Sequence, residues 1–151
     1  QMVIDDPSLI DRMSHEALRM TSPVMHMRRT ATEDTEIAGQ RIAENEKVIM
    51  WYGAANRDPS VFPDPDVFDL TRDNVEKHVA VGQGVHRCLG NRIAQMQLKM
   101  AYERILERFP NIHWTGQQKI EPIILVHAIS SLKVNLYGKG AKRPTQVAVP
   151  G

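Results

Sequence analysis

The chain has 151 residues, 42% of them hydrophobic and 25% charged, and nineteen basic residues against eighteen acidic leave a formal charge of +1. That size fits one ordinary domain, and the near-balance of charge argues against a strongly basic nucleic-acid binder or an acidic tail. The single cysteine excludes an internal disulfide and any multi-cysteine metal cluster.

The start of the chain, Gln1-Met2-Val3-Ile4-Asp5-Asp6, lacks the basic-then-apolar order of a signal peptide. Asp6-Pro7-Ser8 offers a helix start, because Asp or Ser can cap free amides and Pro suits a first turn. From Ser8 the apolar positions Leu9, Ile10, Met13, Ala17, Leu18 and Met20 recur at helical spacing, until Thr21-Ser22-Pro23 stops the helix. Val24 to Ala31 reads as extended. Strands are expected over Glu36–Ile42 and Lys47–Tyr52, with a polar turn between them. Ala54 to Thr71 is rich in Pro and Asp and predicts an ordered, turn-rich loop.

A glycine loop around Gly82, Gly84 and Gly90 comes next. The helix expected from Asn91 to Phe109 is the strongest in the chain, with Ile93, Met96, Met100, Ile105, Leu106 and Phe109 as its apolar face; Pro110 ends it. Ile123–Val126 and Lys133–Tyr137 predict a terminal β-hairpin, and 138–151 a loose tail. The apolar run near Ile120–Leu125 falls far short of the ~20 residues that span a bilayer. These features together predict a reduced, cytoplasmic protein with neither a membrane nor a nucleic acid as partner.

The loop Val81-Gly82-Gln83-Gly84-Val85-His86-Arg87-Cys88-Leu89-Gly90 carries the chemistry. Two glycines one residue apart permit a tight positive-φ path. A cysteine just ahead of a long helix lies where amides and the helix dipole stabilise a thiolate, and Arg87 and His86 add positive charge. Such a thiolate is a strong, soft metal ligand. A lone cysteine is also commonly a small buried hydrophobe. A phosphate-binding reading of Gly82-Gln83-Gly84 fails on the third glycine and the missing preceding strand.

These residues resemble the haem-binding signature of the cytochrome P450 family, Phe-x-x-Gly-x-(Arg/His)-x-Cys-x-Gly. Gly84, His86, Cys88 and Gly90 match it, while Val81 stands where the family usually has Phe. Glu16-Ala17-Leu18-Arg19 resembles the family's Glu-x-x-Arg helix, although alone it reads as an exposed helical ion pair. Arg72 stands where the family completes that ion-pair cluster. Arg29 resembles an arginine that pairs with a haem propionate, with Arg28 as its rival. Ala54-Ala55-Asn56-Arg57-Asp58-Pro59 followed by Phe62-Pro63-Asp64-Pro65 is close to soluble bacterial members. The matches run in order from Glu16 to about Leu136.

The resemblance implies an α+β fold, mainly α, equivalent to the C-terminal third of a family member and forming a single partial domain over 1–151. It implies a haem-thiolate monooxygenase using haem b (iron protoporphyrin IX), with Cys88 on the iron and His86 and Arg29 on propionates. Gly82, Gly84 and Gly90 would shape the cofactor loop. Val24, Met25, Met27, Leu125 and Val126 are substrate-contact candidates, all apolar, which points to a terpenoid, alkyl or steroid-like molecule. Met25 and Met27 could equally fill gaps in a core. A ferredoxin-type partner would supply electrons, with Arg87, Arg92 and Lys99 available to attract it. The family's distal acid–alcohol pair has no counterpart upstream of Glu16, so no catalytic residue of that kind is expected in the segment. The alternative is a non-catalytic piece with little or no haem that folds as an oligomer.

Overall fold

The computed structural model describes residues 1–138, so the expected tail lies outside the described residues except for Gly138. A short helix, α1 (Met2–Asp5), precedes a 3-10 turn over Pro7–Leu9, where the Asp6 carboxylate accepts from the Ser8 amide at 3.0 Å. Helix α2 (Ile10–Thr21) then runs to Ser22, whose left-handed φ of 40° ends it. It buries Ile10, Ser14, Glu16 and Arg19. Half of that buried face is charged, which no apolar stripe foretells.

Strand β1 (His26–Thr30) pairs antiparallel with β4 (Lys47–Trp51), with Met27 opposite Met50 and Arg29 opposite Val48. The single strand expected over Glu36–Ile42 is instead a hairpin of β2 (Thr35–Ile37) and β3 (Gln40–Ile42). Ala38 and Gly39 turn it, both at positive φ (49° and 79°), the backbone that two-residue hairpins require. The strand expected to end at Tyr52 ends at Trp51. Tyr52 begins the one-turn helix α3 (Tyr52–Ala55), and its amide donates to the Met25 carbonyl.

Residues 56–74 form the expected turn-rich loop. Asp58 and Asp69 each close a local turn on the Ser or Thr two residues on. A second 3-10 turn covers Val75–Lys77 and a third Gly84–His86. Helix α4 (Asn91–Arg108) follows. The face it turns to α2 coincides with the predicted one only at Leu106. Asn91, Gln95, Leu98, Tyr102 and Leu106, three and four residues apart, are buried or half-buried. Ile93, Met96 and Met100 are 60%, 56% and 55% exposed on the opposite side. A helix apolar on two sides is one built for cover on both.

The terminal hairpin pairs β5 (His113–Glu121) with β6 (Ala128–Asn135). The predicted strand at Ile123–Val126 is the connection between them. Pro122 withdraws one ladder donor, and the connection pairs with the segment before β1 instead. Val24 and Val126 form an antiparallel bridge, the Met25 amide donates to the Leu125 carbonyl at 2.9 Å, and the His127 amide donates to the Pro23 carbonyl at 2.8 Å. β5 escapes sequence reading because Gln117-Gln118-Lys119 breaks any apolar alternation. Among the described residues, no helix is long and apolar enough to cross a membrane.

Candidate functional site

The framework of the site is a buried ion cluster. Arg19 holds both carboxylate oxygens of Glu16, through Nε at 2.7 Å and a terminal nitrogen at 2.8 Å, and neither residue is exposed. The remaining Arg19 donors reach the carbonyls of Asn56, Pro65 and Val67 in the turn-rich loop. Arg72 lies with Nε 3.5 Å from Glu16 and donates to the carbonyls of Pro63 and Asp64. The Asp69 amide donates to the same carboxylate at 3.0 Å. Burial alone would raise the Glu16 pKa. The hydrogen bonds from Arg19 and Asp69, with the charges of Arg19 and Arg72, outweigh it and hold the carboxyl below its ordinary value. Phe62, almost fully buried, packs its ring 5.2 Å from the Arg19 guanidinium. The exposed-pair reading of Glu16 and Arg19 is thereby replaced by a buried network that pins a loop with no regular structure of its own.

That loop leads into the cysteine loop through Asn56 and His78. Asn56, fully buried, donates from its side chain to Ser22 Oγ at 2.9 Å and accepts the Val79 amide at 2.7 Å. His78 accepts the Ala80 amide on Nδ1, so its Nε2 carries the proton and donates to Nδ1 of His15 at 3.2 Å. The Gln95 carboxamide lies 3.4 Å from the other nitrogen of His15. Burial, and then the repulsion a protonated His78 would meet from His15, Arg87 and Arg19, push its pKa down to about 4, with Glu16 opposing. The sequence places Asn56 in a stretch that resembles the family but gives it no role, and it does not single out His78 at all. Only their burial marks them out.

The cysteine loop turns back on itself. The Gly82 amide donates to the Val79 carbonyl at 2.9 Å, and the Cys88 amide to the Val81 carbonyl at 2.8 Å. Gly82 and Gly84 lie at φ +72° and +62°, and a Cβ on Gly82 would sit 3.0 Å from the His86 carbonyl oxygen. Cys88 is a free, exposed thiol, and the Asn91 amide donates to its carbonyl as α4 begins. Val85 and Leu89 on either side are fully exposed, at 97% and 102%.

A largely apolar recess of about 390 Å³ opens beside the sulfur. It brings together Val24, Met27, Val81, Gly82, His86 and Cys88, with Leu18 and Tyr52 behind them. Met25 faces elsewhere, into a recess with Trp51, Arg57 and His127. Leu125 and Val126 reach the mouth only through their backbone bonds to Met25 and Val24. Strand alternation puts Arg29 on the Met27 face of β1 and Arg28 on the other; Arg29 is half-buried and Arg28 exposed. Of the two rivals, Arg29 thus shares a strand face with Met27 of the recess. Gly84 and Gly90 do not line the recess. A Cβ on Gly90 would lie 3.9 Å from the Cys88 sulfur, so the backbone there passes close beneath it.

These residues fit a planar, apolar metal complex. Among the described residues no group of three or more His, Cys, Asp or Glu side chains could hold a metal ion. A lone sulfur therefore suits a metal whose other positions are filled from within its own ring. The apolar recess and the flanking Val85 and Leu89 suit the ring itself.

Comparison with known proteins identifies the family. The cytochrome P450 family model matches residues 4–134, and the chain belongs to that family. Members of the family use haem b. Over 133 residues it is 43% identical to linalool 8-monooxygenase of Pseudomonas putida, covering 88% of this chain and 32% of that protein. Over 128 residues it is 38% identical to steroid C26-monooxygenase of Mycobacterium tuberculosis, covering 85% and 34%. The structure of cytochrome P450-153 from Novosphingobium aromaticivorans superposes with a TM-score of 0.82 at 40% identity, over 88% of this chain and 34% of that one. The chain spans about a third of the length of the relatives it matches.

Proposed function

We propose that this chain forms the sulfur side of a haem-thiolate monooxygenase site, with Cys88 as the residue that would hold the iron of haem b. The observation that carries the reading is the setting of Cys88: a free, exposed thiol at the lip of an apolar recess, on a self-closed glycine loop directly ahead of α4. When bound, the haem supplies activation of dioxygen for insertion into a C–H bond. The chain's residues do the holding and tuning. Cys88 would hold the metal through its thiolate, and the amides at the start of α4 would moderate the charge on sulfur. His86 and Arg29 hold propionates through charge-assisted bonds. Gly82, Gly84 and Gly90 let the backbone run close to the ring, and Glu16, Arg19 and Arg72 fix the loop that positions them.

The substrate in this reading is a hydrophobic small molecule of terpenoid, alkyl or steroid-like type, touching Val24, Met27, Leu125 and Val126. Met25, turned to its separate recess, is left out of that set. The names of two relatives, linalool 8-monooxygenase and steroid C26-monooxygenase, support the class. Electrons come from a ferredoxin-type partner in the cytoplasm, drawn to the exposed Arg87, Arg92 and Lys99. The test is the spectrum of the protein after haem loading, reduction and exposure to carbon monoxide. A thiolate-type Soret band that disappears in Cys88→Ala supports the reading; a parent spectrum indistinguishable from that variant's refutes it.

One observation favours a second reading for the 151-residue chain by itself. Ile93, Met96 and Met100 form an exposed apolar stripe on α4, a surface that drives self-association. Sedimentation with and without haem distinguishes the two: a haem-free oligomer supports the non-catalytic reading.

A further inference from the structure

Asn56 has no role in the reading of the site given above, yet its position in the bonding is unusual. It is fully buried, and each of its polar groups is committed to a different part of the molecule. Its backbone carbonyl accepts from Arg19 at 2.8 Å and its backbone amide donates to the Tyr52 carbonyl at 2.9 Å. Its side-chain nitrogen donates to Ser22 Oγ at 2.9 Å, and that hydroxyl donates in turn to the Arg19 carbonyl at 3.0 Å. Its side-chain oxygen takes the Val79 amide at 2.7 Å. One residue thus ties the C-terminal end of α2, the turn-rich loop and the base of the cysteine loop.

The bond to Val79 is the one that reaches toward sulfur. The Val79 carbonyl accepts the Gly82 amide, and the Val81 carbonyl accepts the Cys88 amide. With the Arg87 amide donating to the Gly84 carbonyl, three backbone bonds close the loop on itself between Val79 and Cys88, so an anchor at Val79 bears on the placement of the sulfur. His78 supplies a second anchor there through its 3.2 Å contact with His15 on α2. That contact joins two rings and leaves the Val79 amide to Asn56. A carboxamide on a short stem offers a donor and an acceptor on separate atoms, whereas an ionised carboxylate only accepts and a hydroxyl donates and accepts through one oxygen.

We propose that Asn56 is a positioning residue that transmits the placement of the Glu16–Arg19 cluster to the loop bearing Cys88. The proposal rests on the reading of Cys88 as the ligand sulfur, but its first test does not. In the parent chain the Val79 amide exchanges with solvent deuterium as slowly as the amides of α2, because it opens only when the cluster opens. A Val79 amide that exchanges freely in the parent overturns the proposal without any variant.

Three substitutions then apportion the effect. Asn56→Ala, which loses both side-chain bonds, accelerates exchange at Val79 and at Cys88 by about 10- to 100-fold. Asn56→Asp keeps the acceptor for Val79 and loses the donor to Ser22, so the Cys88 amide stays close to parental protection. Ser22→Ala cuts only the α2 end and likewise leaves Cys88 protected. In the haem-loaded protein, Asn56→Ala also shifts the reduced carbon monoxide spectrum from the thiolate form toward the thiol form, while Asn56→Asp retains the thiolate form. If Asn56→Ala lowers thermal stability yet leaves Cys88 exchange at the parental rate, Asn56 is structural only and the proposal falls. If Asn56→Ala does not fold, accelerated exchange at Cys88 in Asn56→Asp, which keeps the Val79 acceptor, overturns it equally. A parent with no thiolate spectrum defeats the haem reading alone, because the exchange results stand or fall independently of it.

Discussion

The Cys88 amide donates to the Val81 carbonyl at 2.8 Å, so the residue that departs from the family pattern is bonded to the residue bearing the sulfur. The bond uses the backbone of Val81, which any side chain preserves. What Val in place of Phe alters is the cover its side chain gives on the wall of the recess, where Val81 and Cys88 lie together. In the haem-loaded protein, Val81→Phe should therefore retain the ligand and shift the iron potential, with haem lost more slowly as solvent is displaced. Potentiometry and haem transfer to an apo acceptor measure both, and no change in either refutes the argument.

The two positive-φ glycines of the loop should respond differently to a methyl group. At Gly82 a Cβ meets the His86 carbonyl oxygen at 3.0 Å as well as an unfavourable φ of +72°. At Gly84 the φ is +62° but the space is open. Gly84→Ala should cost only the left-handed penalty of about 1 kcal/mol, and Gly82→Ala more, with the excess read as weaker haem retention. Urea unfolding of the two variants side by side checks the order.

Arg19→Lys should be nearly as damaging as Arg19→Met. A guanidinium serves Glu16 with two parallel bonds while its other donors reach Asn56, Pro65 and Val67; a single ammonium cannot fork in that way. Breaking the buried pair from one side leaves the carboxylate only Arg72 at 3.5 Å and the Asp69 amide, and a loss of about 3–5 kcal/mol is expected. Chemical denaturation measures it, and a lysine variant within error of the parent contradicts the account.

Stability should fall as the pH drops from about 6.5 to about 4, the ordinary value of a histidine and the value to which His78 is pushed. The unfolded chain binds the His78 proton throughout that window and the folded chain does not, so acid favours unfolding there; above it the contribution is fully present. Protonation at Nδ1 would also set an N–H against the Ala80 amide that now donates to it. Below the ordinary carboxylate range Glu16, whose pKa is lowered, extends the loss. His78→Gln should flatten the denaturation midpoint against pH between 6.5 and 4, whatever its absolute stability. An unchanged slope contradicts the assignment.

The chemistry of the site was legible in the sequence further than its packing was. Cys88, the glycines and His86 share one short stretch, and Glu16 and Arg19 share one helical turn, so spacing alone groups them. Asn56 and His78 act through burial and through partners 23 to 63 residues away, which spacing does not encode. The apolar positions of α4 fall on two sides, with Leu106 half-buried and Ile93, Met96 and Met100 exposed opposite Asn91 and Gln95, so apolar residues alone do not mark the packed face. β5 was missed because its Gln and Lys residues pair through backbone alone. The hairpin at Ala38-Gly39 was overlooked because alanine rarely takes a left-handed φ.

The mouth of the recess is fastened in a way that separates shape from identity. The segment before β1 and the β5–β6 connection meet at Val24 and Val126, and the bonds from Met25 to Leu125 and from His127 to Pro23 run entirely between main-chain atoms. The lip can therefore change its side chains, and with them whatever molecule it admits, while its anchorage and the sulfur loop behind it keep their places. Such a division makes the rim the variable region of a constant machine, open to being rewritten by point substitution without refolding the rest.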